Sequence, residues 1–224
     1  MRDPHTIDRM TGSSQPPVRR RVALTAAWTV PTVAVVAAAP AYAASPCYPL
    51  VPCPNIAFTG TPTGTAAGVT SGAGRLSLND PLRPWSFSAN GTGWTNTNAT
   101  GFNVVGGVTR FSASSEPTTA GRALTLTQTN AMPLNEACRY VITYGVIYWA
   151  NLASADIVMN VRVGGVIVGS FTTAGRTGST NIDAGIQSIT VPAGSSGAVS
   201  FDFLFGGTSG SDDLHLYSPS VSCV

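Results

Sequence analysis

Residues 157–171 read Ile-Val-Met-Asn-Val-Arg-Val-Gly-Gly-Val-Ile-Val-Gly-Ser-Phe, and their reading decides the fold class. Ile157, Met159, Val161 and Val163 fall on one side of an extended chain, and Val158, Asn160 and Arg162 on the other. A period of two is that of a β-strand with one face buried. Gly164-Gly165 separates this run from a second apolar one, Val166–Phe171. Two such runs around two glycines predict a tight antiparallel hairpin, because the turns that match strand twist need positive φ.

The alternation extends outward from this hairpin. Upstream, residues 123–129 alternate apolar with polar, and residues 139–149 place Tyr140, Ile142, Tyr144, Val146 and Tyr148 on one face. Downstream, residues 186–191 give a short strand, and Val199, Phe201, Phe203 and Phe205 alternate with Ser200, Asp202 and Leu204. A Gly/Ser turn over residues 206–211 leads into a last strand that ends at Cys223. Helical periodicity is hard to find after residue 44. Short strands between Gly/Ser/Thr/Pro turns, without intervening helices, predict an all-β protein: an antiparallel β-sandwich of jelly-roll type. We divide the chain into an export segment (1–43), a lead with a Gly/Thr-rich linker over Thr59–Gly74 (44–84) and the sandwich (85–224). The linker is low in complexity. Whether Asn55–Phe58 joins the sheet is open from sequence.

The chain is poor in charge, at 10% against 43% hydrophobic residues, and all 12 basic residues are Arg. Having no Lys, it lacks a Schiff-base or phosphate-loop lysine. Residues 1–43 hold five Arg and two Asp, which leaves +3 of the total +2 in that segment and −1 in the rest. Such a balance offers nucleic acid no basic stripe. Arg19-Arg20-Arg21 abuts the apolar run 22–39, and Ala41-Tyr42-Ala43 follows. This is the n-region, h-region and A-x-A site of a cleaved signal peptide. The competing reading is a membrane anchor, but Thr25, Thr29, Pro31 and Thr32 weaken the run, and it is near the lower limit of length for a span. Arg19-Arg20 resembles a twin-arginine signal without its usual following residues, and general secretion is the alternative route. The expected destination is secretion or the cell surface, with no membrane span in the mature protein.

The four cysteines, Cys47, Cys53, Cys138 and Cys223, all lie past that segment. An even count after an export signal predicts two disulfides. Zinc fits poorly, because no C-x-x-C pair occurs and His215 is the sole histidine after the segment. Three pairings are possible.

The order of features resembles the galactose-binding-like jelly roll of many carbohydrate-binding modules, over roughly residues 85–223. Those features are Asn55-Ile-Ala-Phe58, Gly93-Trp94, the strand at Leu124–Gln128, Tyr140–Trp149, the Gly164-Gly165 hairpin, Val199–Phe205 and Gly210-Ser-Asp-Asp-Leu-His-Leu216. The resemblance implies that the last strand lies antiparallel beside 139–149. Cys138 would then approach Cys223, leaving Cys47–Cys53 as a short staple. It also implies a structural calcium held by a Glu after the early Phe and an Asp of the final strand. Thr59 stands where that Glu would be, so half the signal is missing, and Asp212 or Asp213 supplies the other half. No other cofactor is expected.

A glycan site needs flat exposed aromatics for stacking and a few polar groups. The candidates are Tyr48, Trp85, Trp94, Tyr140, Tyr144, Tyr148 and Trp149. Trp85 and Trp94, among Gly, Asn and Thr, stand first. Trp149 lies on the outer face if Ile142, Tyr144 and Val146 point inward. Catalysis finds little material. His215 sits in an alternating strand with no G-x-S-x-G elbow to serve, and the acids are scattered among turns. Asn90-Gly-Thr and Asn98-Ala-Thr match the N-x-[ST] pattern, but turn-forming Asn explains them as well. The expected function is therefore non-catalytic binding of a polysaccharide or cell-surface glycan. The alternatives are an exported surface protein without a sugar site and, behind it, an extracellular hydrolase.

Overall fold

The computed structural model describes residues 51–64, 75–90, 94–95, 100–114, 116–207 and 212–224. The chain divides into two units, Met1–Ala41 and Tyr42–Val224, and all described residues belong to the second. The export signal with Arg19, Arg20, Ala41 and Ala43, together with Cys47 and Tyr48, lies outside them.

Among the described residues there are fourteen strands: β1 Thr61–Thr63, β2 Ser77–Asn79, β3 Trp85–Ala89, β4 Trp94–Thr95, β5 Gly101–Val105, β6 Val108–Ala113, β7 Glu116–Pro117, β8 Arg122–Gln128, β9 Tyr140–Ala150, β10 Ile157–Val163, β11 Val166–Thr172, β12 Gly178–Thr190, β13 Val199–Phe205 and β14 Asp213–Cys223. A seven-stranded sheet runs β1-β2-β3-β8-β13-β10-β11, a five-stranded sheet runs β12-β9-β14-β6-β5, and β4 pairs with β7. Every pairing is antiparallel. From β6 onward the chain crosses between the two large sheets at almost every connection, as a jelly roll does. The architecture is the all-β antiparallel sandwich that the alternation predicts. The Gly164-Gly165 hairpin forms with φ of 56° and 85° at the two glycines, and β14 lies antiparallel beside β9.

The inner faces are those read from period two. On the smaller sheet Tyr140, Ile142, Tyr144, Val146 and Tyr148 are buried, and opposite them lie Val199, Phe201, Phe203 and Phe205. Phe111 is fully buried at the centre, with its ring 5.2 Å from those of Phe87, Phe102 and Phe203. The edge-to-face contacts with Phe87 and Phe102 add to what area burial alone provides. The lead joins this core. Ile56 and Phe58 are buried, Phe58 packs on Trp85 and Phe102 at 5.4 Å, and Thr61–Thr63 forms an edge strand. Residues 51–64 and 75–84 thus belong to the sandwich, and residues 65–74 of the expected linker fall outside the described residues.

The disulfide is Cys53–Cys223, with Cα atoms 5.8 Å apart. It replaces both expected pairings, Cys47–Cys53 and Cys138–Cys223. The reason is register. Cys223 stands opposite Tyr140, two positions from Cys138. A diagonal pair of this kind is about 7–8 Å apart, beyond the usual span of a disulfide. Cys138 is itself disulfide-bonded, with a partner outside the described residues.

Candidate functional site

The outer face of the five-stranded sheet carries the most chemistry. Its rows follow from register. One row runs Asn103 (β5), Arg110 (β6), Tyr217 (β14), Gly145 (β9) and Ile186 (β12). The next runs Gly101, Ser112, His215, Ile147 and Asp183. Beyond it, Trp149 stands opposite Asp213.

Tyr217 is the notable side chain of the first row. A Cβ on Gly145 would lie 2.1 Å from Tyr217 Cζ and within 2.5 Å of both Cε atoms. The ring therefore lies flat on the β9 backbone, in space only glycine leaves open, while its other side faces outward. Tyr217 Oη donates to Asp183 Oδ1 at 3.1 Å, which fixes the ring over the strand. Desolvation, then that bond and the Asp183 charge, push the phenol pKa up. A bulge follows immediately: the register slips between Tyr217 and Ser220, with Ser218 at φ 46°. Bulges re-aim side chains in this way.

Beside Tyr217 a hydrogen-bonded chain links three strands, β5, β6 and β14. Arg110 Nε donates to Asn103 Oδ1 at 2.9 Å, Asn103 Nδ2 donates to Ser112 Oγ at 2.9 Å, and Ser112 Oγ meets His215 Nδ1 at 2.8 Å. Ser112 and His215 are 1% and 6% exposed. Burial, helped by the Arg110 charge, lowers the His215 pKa from 6.5 to about 4. A Ser–His pair at this distance invites comparison with a nucleophile and its base. The charge environment works against that chemistry, because Arg110 opposes the imidazolium that a general base must become.

His215 gives a pH prediction. Its folded pKa lies below its unfolded value, so the unfolded chain takes up a proton between pH 6.5 and about 4 while the folded chain does not. Stability falls across that window and is fully present above it. The expected loss from pH 7 to 4 is about 3 kcal/mol. In urea denaturation at stepped pH, His215→Asn should flatten the slope. An unchanged slope would assign the acid sensitivity elsewhere.

Trp149 is half-buried on the same outer face, as the inward orientation of Ile142 and Tyr144 requires. With Asn151, Leu152, Thr177 and Gly178 it lines a cleft of about 370 Å³. Leu152 is exposed at its rim, and Arg176 stacks nearby on Tyr148 and Phe171 with its guanidinium carbon 5.3 and 4.5 Å from their ring centres.

The other expected site residues lie elsewhere. Trp85 is fully buried in the core, pointing inward from β3, so it presents no face to a ligand. The alternation Trp85-Ser-Phe87 is the signal that it is a core residue. Trp94 is partly buried, edge-on to Phe205 at 5.3 Å, and it is not brought near Trp149 by any pairing. Tyr140, Tyr144 and Tyr148 are core residues. Asn90 ties the end of β3 to β8, its Oδ1 accepting from Ala123 N at 2.7 Å, and Asn98 lies outside the described residues.

Asp212 and Asp213 do not converge. Asp212 is 1% exposed and its Oδ1 accepts from Asn151 N and from the Ser154 hydroxyl, holding the loop after β9. Asp213 points to the outer face opposite Trp149. Asp212 Oδ2 is buried without a hydrogen-bond partner, but calcium takes six to eight oxygens. The neighbouring carbonyls of Ala155 and Asp156 already accept from Asp212 N and Gly206 N. No group of three or more His, Cys, Asp or Glu occurs among the described residues. Asp212 and Asp213 thus serve different surroundings, Asp212 the loop after β9 and Asp213 the outer face.

No family model matches the chain, and no curated protein matches it. Among the described residues no helix is long and apolar enough to cross a membrane. A disulfide-bonded β-sandwich is compatible with an extracellular protein.

Proposed function

We propose that this is a secreted, non-catalytic module that binds a polysaccharide or cell-surface glycan on the outer face of its five-stranded sheet. The observation that carries the reading is Tyr217 lying flat on Gly145, on the face that also holds Trp149. A ring pinned to the backbone presents its free side to the axial C–H face of a pyranose at little entropic cost. Gly145 and Trp149 are four residues apart on β9, about 13 Å at strand rise. A ligand that engages both aromatics is a chain of sugars. Export by the arginine-led segment puts the module where such polymers are.

The test is affinity electrophoresis and calorimetry on a panel of soluble plant, fungal and bacterial polysaccharides. Tyr217→Ala and Trp149→Ala should each weaken binding by about five- to thirty-fold, the equivalent of about 1–2 kcal/mol of stacking. Gly145→Val should weaken it similarly by lifting the Tyr217 ring. Wild-type protein that binds nothing on the panel would overturn the reading.

A further inference from the structure

Arg110 is half-buried in the middle of the candidate face, next to Tyr217 in register. Its surroundings are unusual for a desolvated cation. Its Nε is taken by the neutral amide of Asn103. His215, linked to it through Asn103 and Ser112, is held neutral by burial and by the Arg110 charge itself. On the other sheet Arg162 is paired with Asp202. Of the carboxylates on this side of the sandwich, Asp183 is engaged by Tyr217 Oη and Gly185 N, at 3.1 and 2.8 Å, and Asp213 lies at the far end, opposite Trp149. Burying a charge without an opposite partner is costly. Desolvation alone accounts for the lowered Arg110 pKa, with no acid raising it. The Asn103–Ser112–His215 chain holds the guanidinium by its Nε edge, which leaves the terminal amino groups as the part able to meet a ligand. A guanidinium held in this way matches the planar, bidentate acceptors of a carboxylate or the oxygens of a sulfate.

We infer that the ligand is an acidic saccharide, whose carboxylate or sulfate docks on Arg110 while a pyranose of the same chain stacks on Tyr217. The inference rests on the glycan reading above and narrows it. A charge-assisted pair in a partly desolvated place should favour the acidic polymer over its neutral counterpart by about tenfold or more.

The experiment compares matched polymers: polygalacturonate against its fully methyl-esterified form, and dextran sulfate against dextran. The first pair reports a carboxylate and the second a sulfate. Purified wild-type protein should prefer the acidic member of at least one pair, and that preference should shrink as salt rises from 20 to 500 mM. Arg110→Gln should bring the acid-to-neutral affinity ratio close to one. The salt series on wild type decides the matter even if Arg110→Gln fails to fold. Equal affinity of wild type for both members of both pairs overturns the acidic ligand and leaves the glycan reading standing. An acid preference that survives in folded Arg110→Gln overturns the docking of the acidic group on Arg110 and leaves the glycan reading standing. Absence of binding to all four polymers and to the wider panel overturns both.

Discussion

Replacing Cys53 and Cys223 together by serine is expected to cost about 4–5 kcal/mol of unfolding free energy. The bond joins residues separated by 170 positions. In the chain-entropy model a loop of that length is worth about 5 kcal/mol at 25 °C, less any strain. The lead that carries Cys53 also supplies Ile56 and Phe58 to the core and β1 to the edge of the larger sheet. Losing the bond should therefore free the lead before the sandwich itself opens. Two readouts separate the effects: urea denaturation gives the global loss, and hydrogen exchange should show early opening at Thr61–Thr63. A double variant within 1 kcal/mol of wild type would show that the sandwich holds its lead without the cross-link.

The second large effect is at Phe111. Phe111→Ala is expected to destabilise the fold by about 3–5 kcal/mol, the usual range for removing a buried aromatic ring. Its ring touches Phe87 and Phe203 of the larger sheet and Phe102 of its own, so its loss leaves a void between the sheets. Three stiff rings around the void cannot collapse far into it, which places the cost toward the upper end. Phe111→Leu fills most of the space and should cost clearly less. Thermal or urea unfolding of the two variants side by side tests the ranking, and equal losses would mean that the rings repack freely.

The sandwich was legible wherever one face is continuous. Val199–Phe205 has an unbroken apolar face, and the strand occupies those very residues. The β10–β11 hairpin was marked by its two glycines. The β5–β6 hairpin around Gly106-Gly107 carries the same turn, yet Val104, Val105 and Val108 are exposed and blur the alternation. The first half of β12, Gly-Ser-Thr-Asn-Ile-Asp-Ala-Gly, is an edge strand with two register slips, so its pattern is polar and broken.

The candidate site was legible only in part. Trp149 followed from alternation, because the inward side of 139–149 determined its outward side. Trp85 was misplaced because the Gly, Asn and Thr around it and Trp94 suggest an exposed loop, although the Trp85/Phe87 spacing is that of a strand. Tyr217 and Arg110 went unread. The sign of Tyr217 is a glycine inside an otherwise bulky strand, Gly145, which marks close approach by another group. That the approaching group is Tyr217 depends on a pairing 72 residues away in sequence, and no local pattern encodes it. The disulfide was misread for the same reason: the strand order was right, but the path of the lead across it was not visible.

The Cys53–Cys223 bond also sets how this molecule carries load. A pull applied before Cys53 and after Cys223 passes through a covalent bridge, not through the ladders of the two sheets. The 170 positions that separate them amount to on the order of 580 Å of fully extended chain. With the bridge intact that slack stays locked, and a protein tethered at one end and gripped at the other behaves as a short, inextensible link.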